Sequence, residues 1–226
     1  MKGLYKVEMH TVHGSRRGVI YVYDSKMMGG NSAFAFIGTY RESRGEVLVD
    51  ISTIRHNDDP NFQPLFKSDR INLTLRGWRQ GEQYRFEGGS DALPGVAFNS
   101  VMTPISEEAA PPILREEQGG IKNGLYSIHI RMLDGIDAGN TGVMVLHAGR
   151  IRGGDGFFGY LGAYSSAGAN GKARSSITST RRAMASARCS AAMRSASAFP
   201  AATPTRARSR KPQHLSASAA FASARC

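Results

Sequence analysis

The chain writes one stretch twice. Gly29-Gly30-Asn31-Ser32-Ala33-Phe34-Ala35-Phe36-Ile37-Gly38-Thr39-Tyr40 returns as Gly153-Gly154-Asp155-Gly156-Phe157-Phe158-Gly159-Tyr160-Leu161-Gly162-Ala163-Tyr164. Five of the twelve positions are identical, and Asn31/Asp155, Phe36/Tyr160 and Ile37/Leu161 are close substitutions in the same register. A fixed offset of that quality marks a duplication, so the fold has to be one that can be built from the same unit twice.

The first unit reads as strands. Tyr5, Val7 and Met9 alternate with Lys6 and Glu8, the period of two that puts one face in a core and the other in water. Val19 to Tyr23 is β-branched and aromatic, and Asp24 to Gly30, rich in turn residues, predicts a turn. Strands are then expected over 33–41, from Val47 to Ile51, from Ile71 to Leu75, from Gln83 to Glu87 and from Val96 to Thr103. Gly29, Gly30, Gly153 and Gly154 are read as structural turn glycines. The segment 55–68, with Pro60 and Pro64, is expected as a loop across the mouth of the structure. No stretch carries apolar residues at helical spacing, so the class is all-β, and antiparallel strands in sequence order avoid bare edges by closing into an up-and-down β-barrel.

The expected domains are a complete barrel over 1–105, a linker over 106–121, a partial second repeat over 122–171 and a tail over 172–226. Gly124-Leu125-Tyr126 answers Gly3-Leu4-Tyr5 at an offset of 121, and Gly142-Val143 answers Gly18-Val19 at 124, which places three added residues around Asp134 to Asn140. The second unit starts as a full equivalent of the first and then loses its pattern. From Lys172 onward 36 of 55 residues are Ala, Ser or Arg and none is acidic. Such a segment reads as a disordered basic tail. A sharper expectation is a lost reading frame near Ala167 to Lys172. Back-translated with GC-rich codons, Ala187-Arg188-Cys189-Ser190 read one nucleotide earlier becomes Arg-Pro-Val-Phe, and the final residues can yield an alternating strand in the same way. Residues 172–226 are then expected not to pack.

Charge follows the same division. The formal net charge is +11, yet residues 1–155 hold eighteen Lys+Arg against eighteen Asp+Glu, so the whole excess lies beyond them. Non-specific phosphate binding by the tail is expected to fall steeply with salt, and without an aromatic platform no specific nucleic-acid recognition is expected. Cys189 and Cys226 are the two cysteines, which rules out a disulfide framework and fits a reducing, cytoplasmic setting. No apolar run approaches the ~20 residues of a membrane helix, so no membrane partner is expected.

Catalytic motifs are missing: no Gly-x-Ser-x-Gly elbow, paired-cysteine motif or P-loop occurs. Gly154-Asp155-Gly156-Phe157-Phe158-Gly159 matches Gly-x-Gly-x-x-Gly, but an aromatic alternating strand follows where a phosphate cradle needs a helix. His10 and His13 sit on opposite sides of a strand, and His56, His129, His147 and His214 form no local cluster. We expect no enzyme, cofactor or metal. Met9, Met27, Met28 and Met102 are candidates for an adaptable apolar pocket or for ordinary core.

With Gly3-Leu4-Tyr5-Lys6-Val7, the Gly29-Gly30-x-Ser32-Ala33-Phe34 block and Ile37-Gly38-Thr39-Tyr40, the chain resembles the GrlR-type family of type III secretion negative regulators. The resemblance implies an eight-stranded, lipocalin-like barrel, often a homodimer, that binds a transcriptional activator and keeps it from its promoter. The family's acidic functional loop corresponds to Arg41, Glu42, Ser43, Arg44, Gly45 and Glu46, of mixed charge here, so a different protein partner is implied. The competing expectation is a carrier holding a small apolar, lipid-like ligand inside the barrel.

Overall fold

Each of the first eight strands pairs with its neighbour in sequence, and the last returns to the first. The computed structural model describes residues 1–108, 110–113, 121–132, 140–167, 170–179 and 216–221. Strands β1 (Gly3–Thr11), β2 (Gly14–Tyr23), β3 (Lys26–Gly30), β4 (Phe34–Ser43), β5 (Glu46–Arg55), β6 (Arg70–Gln80), β7 (Gln83–Gly89) and β8 (Phe98–Pro104) form a closed antiparallel barrel. Closure is made by β8 on β1, with Val7 opposite Met102, and it leaves no bare edge. Alternation decides the faces. In β6, Ile71, Leu73 and Leu75 are buried while Asn72, Thr74 and Arg76 are exposed. Along β6 a polar outside over an apolar inside is the reverse of a lipid-facing strand, and among the described residues no helix is long and apolar enough to cross a membrane.

The expected turn over Asp24 to Gly30 is corrected. Its connection is only Asp24-Ser25, both left-handed at φ 44 and 60, and Lys26–Gly30 is a strand paired on both sides. The equivalent turn of the second unit is Ala148-Gly149, at φ 50 and 72. Two successive left-handed residues match the twist of a tight hairpin. Gly29, Gly30, Gly153 and Gly154 are therefore ladder residues at strand ends, and the reversal lies just after them. Segment 55–68 does cross the mouth: Phe66 is buried in the barrel core, and Thr11 Oγ1 donates to Leu65 O at 3.1 Å.

The second unit is an open six-stranded sheet of β9 (Gly124–Met132), β10 (Asn140–His147), β11 (Arg150–Gly154), β12 (Phe158–Ala167), β13 (Asn170–Ser179) and β14 (Ser216–Phe221), in the order β13-β12-β11-β10-β9-β14. Its hairpins keep the barrel's register. Val143 pairs with Gly154 as Val19 pairs with Gly30, and Phe158 with Ser179 as Phe34 with Arg55. This corrects the expectation that nothing past Lys172 joins the fold: the ladder on β12 runs to Ser179, and β14 adds to the far edge on β9. β14 runs parallel to β9, whereas β8 is antiparallel to β1, so it is no counterpart of the barrel's closing strand. The three added residues expected around Asp134 to Asn140 fall mainly outside the described residues, as does most of the tail.

The units meet on the outer face of β2 and β3. Leu4, Val19, Tyr21 and Tyr23 form one buried cluster with Val145 and Leu161, while the barrel interior holds a separate cluster. The expected linker packs here in its described part. Ile105, just before it, donates from N to Leu4 O at 2.8 Å; within it, Glu107 pairs with Arg152 at 2.7 Å, and Pro111 O accepts from Arg150 at 2.6 Å.

Candidate functional site: the barrel interior, the β4–β5 hairpin and the seam

The interior is filled by its own side chains. A cavity of about 60 Å³ remains, lined by residues that include Val7, Met9, Met27, Leu73, Phe86 and Met102. Space on that scale holds a few waters, whereas sites for drug-sized ligands run to roughly 300–1,000 Å³. Three of the four singled-out methionines line it. Met28 faces the other way, into the seam with the second unit, as alternation along β3 requires.

The β4–β5 hairpin ends in Arg44-Gly45, at φ 51 and 85, and the five candidate partner-binding residues lie around this tip. Arg41, Glu42, Ser43 and Arg44 are exposed and Glu46 is half-buried. The structure sorts them into two groups. Glu42 pairs with the amino group of Met1, beside Tyr40, whose hydroxyl donates to Met1 O at 2.6 Å. Glu46 pairs across the sheet with Arg76, and that hydrogen bond to the carboxylate raises the Arg76 pKa. Both carboxylates thus have cationic partners, while Arg41 and Arg44 enter no ion pair among the described residues. The tip offers two cations, Ser43 and exposed backbone.

The repeated Gly-Gly-Asx block is a structural device in both units. Asn31 Oδ1 accepts from Ala33 N at 3.0 Å and Phe34 N at 2.8 Å, and Asp155 Oδ1 accepts from Phe157 N at 2.6 Å and Phe158 N at 2.8 Å. Asn31 and Asp155 are both buried. Only Asp155 has a further partner on its other oxygen, the Tyr160 hydroxyl. Burial, with that carboxylate beside it, pushes the Tyr160 pKa far up. The glycines before the turn allow close backbone approach: a Cβ at Gly29 would lie 2.0 Å from Val19 O, and one at Gly153 would lie 2.2 Å from Val143 O. No helix follows Gly154, so the Gly-x-Gly-x-x-Gly spacing meets no phosphate-cradling geometry.

The seam carries polar residues that sequence reasoning passed over. Thr141 Oγ1 donates to Ser32 O at 2.6 Å and accepts from Asn57 Nδ2 at 3.0 Å. His56 Nδ1 lies 2.9 Å from Ser127 Oγ, and the Arg152 guanidinium sits 4.4 Å above the Tyr21 ring. One signal for this surface was available. Val19 to Tyr23 is apolar on both faces, and all five residues are buried, which a one-sided barrel wall does not need. Beside the seam lies an open cleft of about 350 Å³ bordered by Glu8, His10, Arg16, Arg17, Phe62 and Phe157. Its polar groups are largely engaged: Arg17 pairs with Glu8 at 3.4 Å, and His10 Nδ1 lies 2.7 Å from Ser15 Oγ. Among the described residues no cluster of His, Cys, Asp and Glu is arranged to hold a metal. No protein-family model matches the chain, and no curated protein matches it.

Proposed function

We propose that the chain is a non-enzymatic regulatory protein of the cytoplasm that works by binding another protein, a transcriptional activator kept from its promoter, in the manner of GrlR-type negative regulators of type III secretion. The observation that carries this reading is the division of the barrel into a filled interior and an offered hairpin. With about 60 Å³ of free space inside, the barrel has little room for a lipid-like cargo. At the hairpin tip Arg41 and Arg44 stay outside the ion pairs that engage Glu42 and Glu46. A cationic tip selects an acidic surface on the partner.

The test is site-specific photo-crosslinking in cells. A crosslinker at Arg44 is expected to capture the activator, and one at Gln80, at the end of the β6–β7 hairpin, is not. Arg41→Glu with Arg44→Glu is expected to abolish capture and relieve repression of a reporter. Equal capture from both positions removes the hairpin from the reading. Native mass spectrometry that finds one lipid per chain replaces the reading with the carrier.

A further inference from the structure

The seam between the two units is built from equivalent positions used twice. A Cβ placed at Gly30 would lie 2.8 Å from Val143 Cγ1, and one placed at Gly154 would lie 2.9 Å from Val19 Cγ1. Gly30 and Gly154 are counterparts in the repeat, and so are Val19 and Val143. Thr141 Oγ1 reaches Ser32 O at 2.6 Å, and a Cβ at Gly156 would lie 3.8 Å from Arg17 O; Thr141 answers Arg17, and Gly156 answers Ser32. Tyr21 lies under Arg152, while their counterparts Val145 and Met28 join the same apolar cluster. Leu4 and its counterpart Leu125 both pack there. In the first two cases residue i of one unit meets j of the other and the counterpart of i meets the counterpart of j, and in the others the counterparts share one apolar cluster. That reciprocity is the signature of a two-fold, isologous interface.

We propose that the outer face of β2 and β3 is a self-association surface, and that in this chain the second repeat occupies it as a built-in copy of the first. The chain is then a two-fold dimer made within one polypeptide, and it associates no further through this face. The side chains fit that history. The positions in closest approach, the glycines and valines, are the same residue type in both units. The periphery has diverged into one-sided partnerships: Arg152, which answers Met28, pairs with Glu107, and His147, which answers Tyr23, lies with its ring centre 4.2 Å from that of Tyr23. Those added contacts favour the internal partner over a second chain, because they require an arginine or histidine that the first unit lacks at the equivalent position.

The experiment uses the full chain. Sedimentation is followed over roughly 1–100 μM, the range in which mass action would reveal a dimer. Trp78 emission checks that the barrel stays folded, and hydroxyl-radical labelling of Tyr21 and Tyr23 reports whether the seam is open. The unaltered chain is expected to be a monomer throughout. Val143→Arg puts a charge where Val143 lies against the Gly30 backbone. It is expected to open the seam and expose the barrel face, giving a concentration-dependent dimer. Val19→Arg with Val143→Arg places a charge on both faces and is expected to restore the monomer. An unaltered chain that dimerises, or a Val143→Arg chain that stays monomeric with both tyrosines labelled, overturns the proposal. So does a Val143→Arg seam that stays closed, since the inferred packing leaves no space for the larger side chain. If the second sheet unfolds altogether in that variant, the barrel face is still bared, and the dimer is still required.

Discussion

The two Asx turns differ in a coupled pair, which makes the first unit convertible into the second. Asp155 is buried with the Tyr160 hydroxyl on Oδ2, whereas Asn31 is buried in a unit whose counterpart of Tyr160 is Phe36, which has no hydroxyl. Asn31→Asp keeps the oxygen that accepts from Ala33 and Phe34 but leaves the other carboxylate oxygen without the donor that its counterpart has. A buried anion short of one partner should cost about 2–4 kcal/mol. Phe36→Tyr alone is expected to bring a hydroxyl towards Asn31 Nδ2, which can donate to it but cannot accept from it, at a cost of about 1 kcal/mol. With both changes the hydroxyl donates to the carboxylate, a charge-assisted bond, and a coupling energy of about 2 kcal/mol is expected. Urea unfolding followed at Trp78, the single tryptophan and a residue of β6, reads the barrel directly. At an m value of about 2 kcal/mol/M the double variant should unfold roughly 1 M above the midpoint that the two single losses added together would give, and roughly 0.5 M above Asn31→Asp alone. Costs that add to within about 0.5 kcal/mol would refute the reasoning, because the two positions would then not be one hydrogen-bonded unit.

Two further outcomes follow from the same geometry. Gly29→Ala forces a Cβ to 2.0 Å from Val19 O, where neither backbone can yield, and is expected to lower barrel stability by more than about 3 kcal/mol; Gly45→Ala, at φ 85 with open space around it, should cost only about 1 kcal/mol. The same urea titration separates them. The raised Tyr160 pKa gives the second sheet a stability that is fully present below the ordinary tyrosine pKa of about 10. Above that pH the unfolded chain releases the proton and the folded chain keeps it, so stability should fall by about 1.4 kcal/mol per pH unit from this group. Tyr160→Phe should flatten that slope between pH 10 and 11, as read by amide exchange in β11 and β12.

The barrel was readable because alternation and turn chemistry agree along most of its length. In β6 every second residue is apolar from Ile71 to Leu75, and burial follows that pattern residue by residue. β3 was missed for a physical reason. Lys26-Met27-Met28-Gly29-Gly30 has two adjacent methionines and two glycines because one face fills the barrel, the other meets the second unit, and the glycines admit a neighbouring backbone. None of those demands leaves an alternating pattern. At the hairpin, sequence brought Arg41, Glu42, Ser43, Arg44 and Glu46 together by adjacency. Only the pairing with Met1 and Arg76, which lie 41 and 30 residues from their partners, separates the engaged carboxylates from the arginines. The seam was hidden because its logic lies between the copies: Thr141 matters through Ser32, and Arg152 through Tyr21 and Glu107.

Strand β13 separates two things that usually travel together. Its pairing with β12 repeats the β4–β5 register over all ten positions, so Asn170 stands where Glu46 stands and Ser179 where Arg55 stands. Its residues no longer follow the first unit. Val47, Val49 and Ile51, all buried in the barrel core, are answered by Gly171, Ala173 and Ser175. A ladder needs only backbone donors and acceptors in step, which any residue except proline supplies. A core needs particular side chains on one face, and closing a barrel needs that face on every strand. The composition shift at Lys172 therefore ends the apolar pattern before it ends the sheet. The open six-stranded sheet is what remains when hairpin register outlasts the side chains that would have closed it.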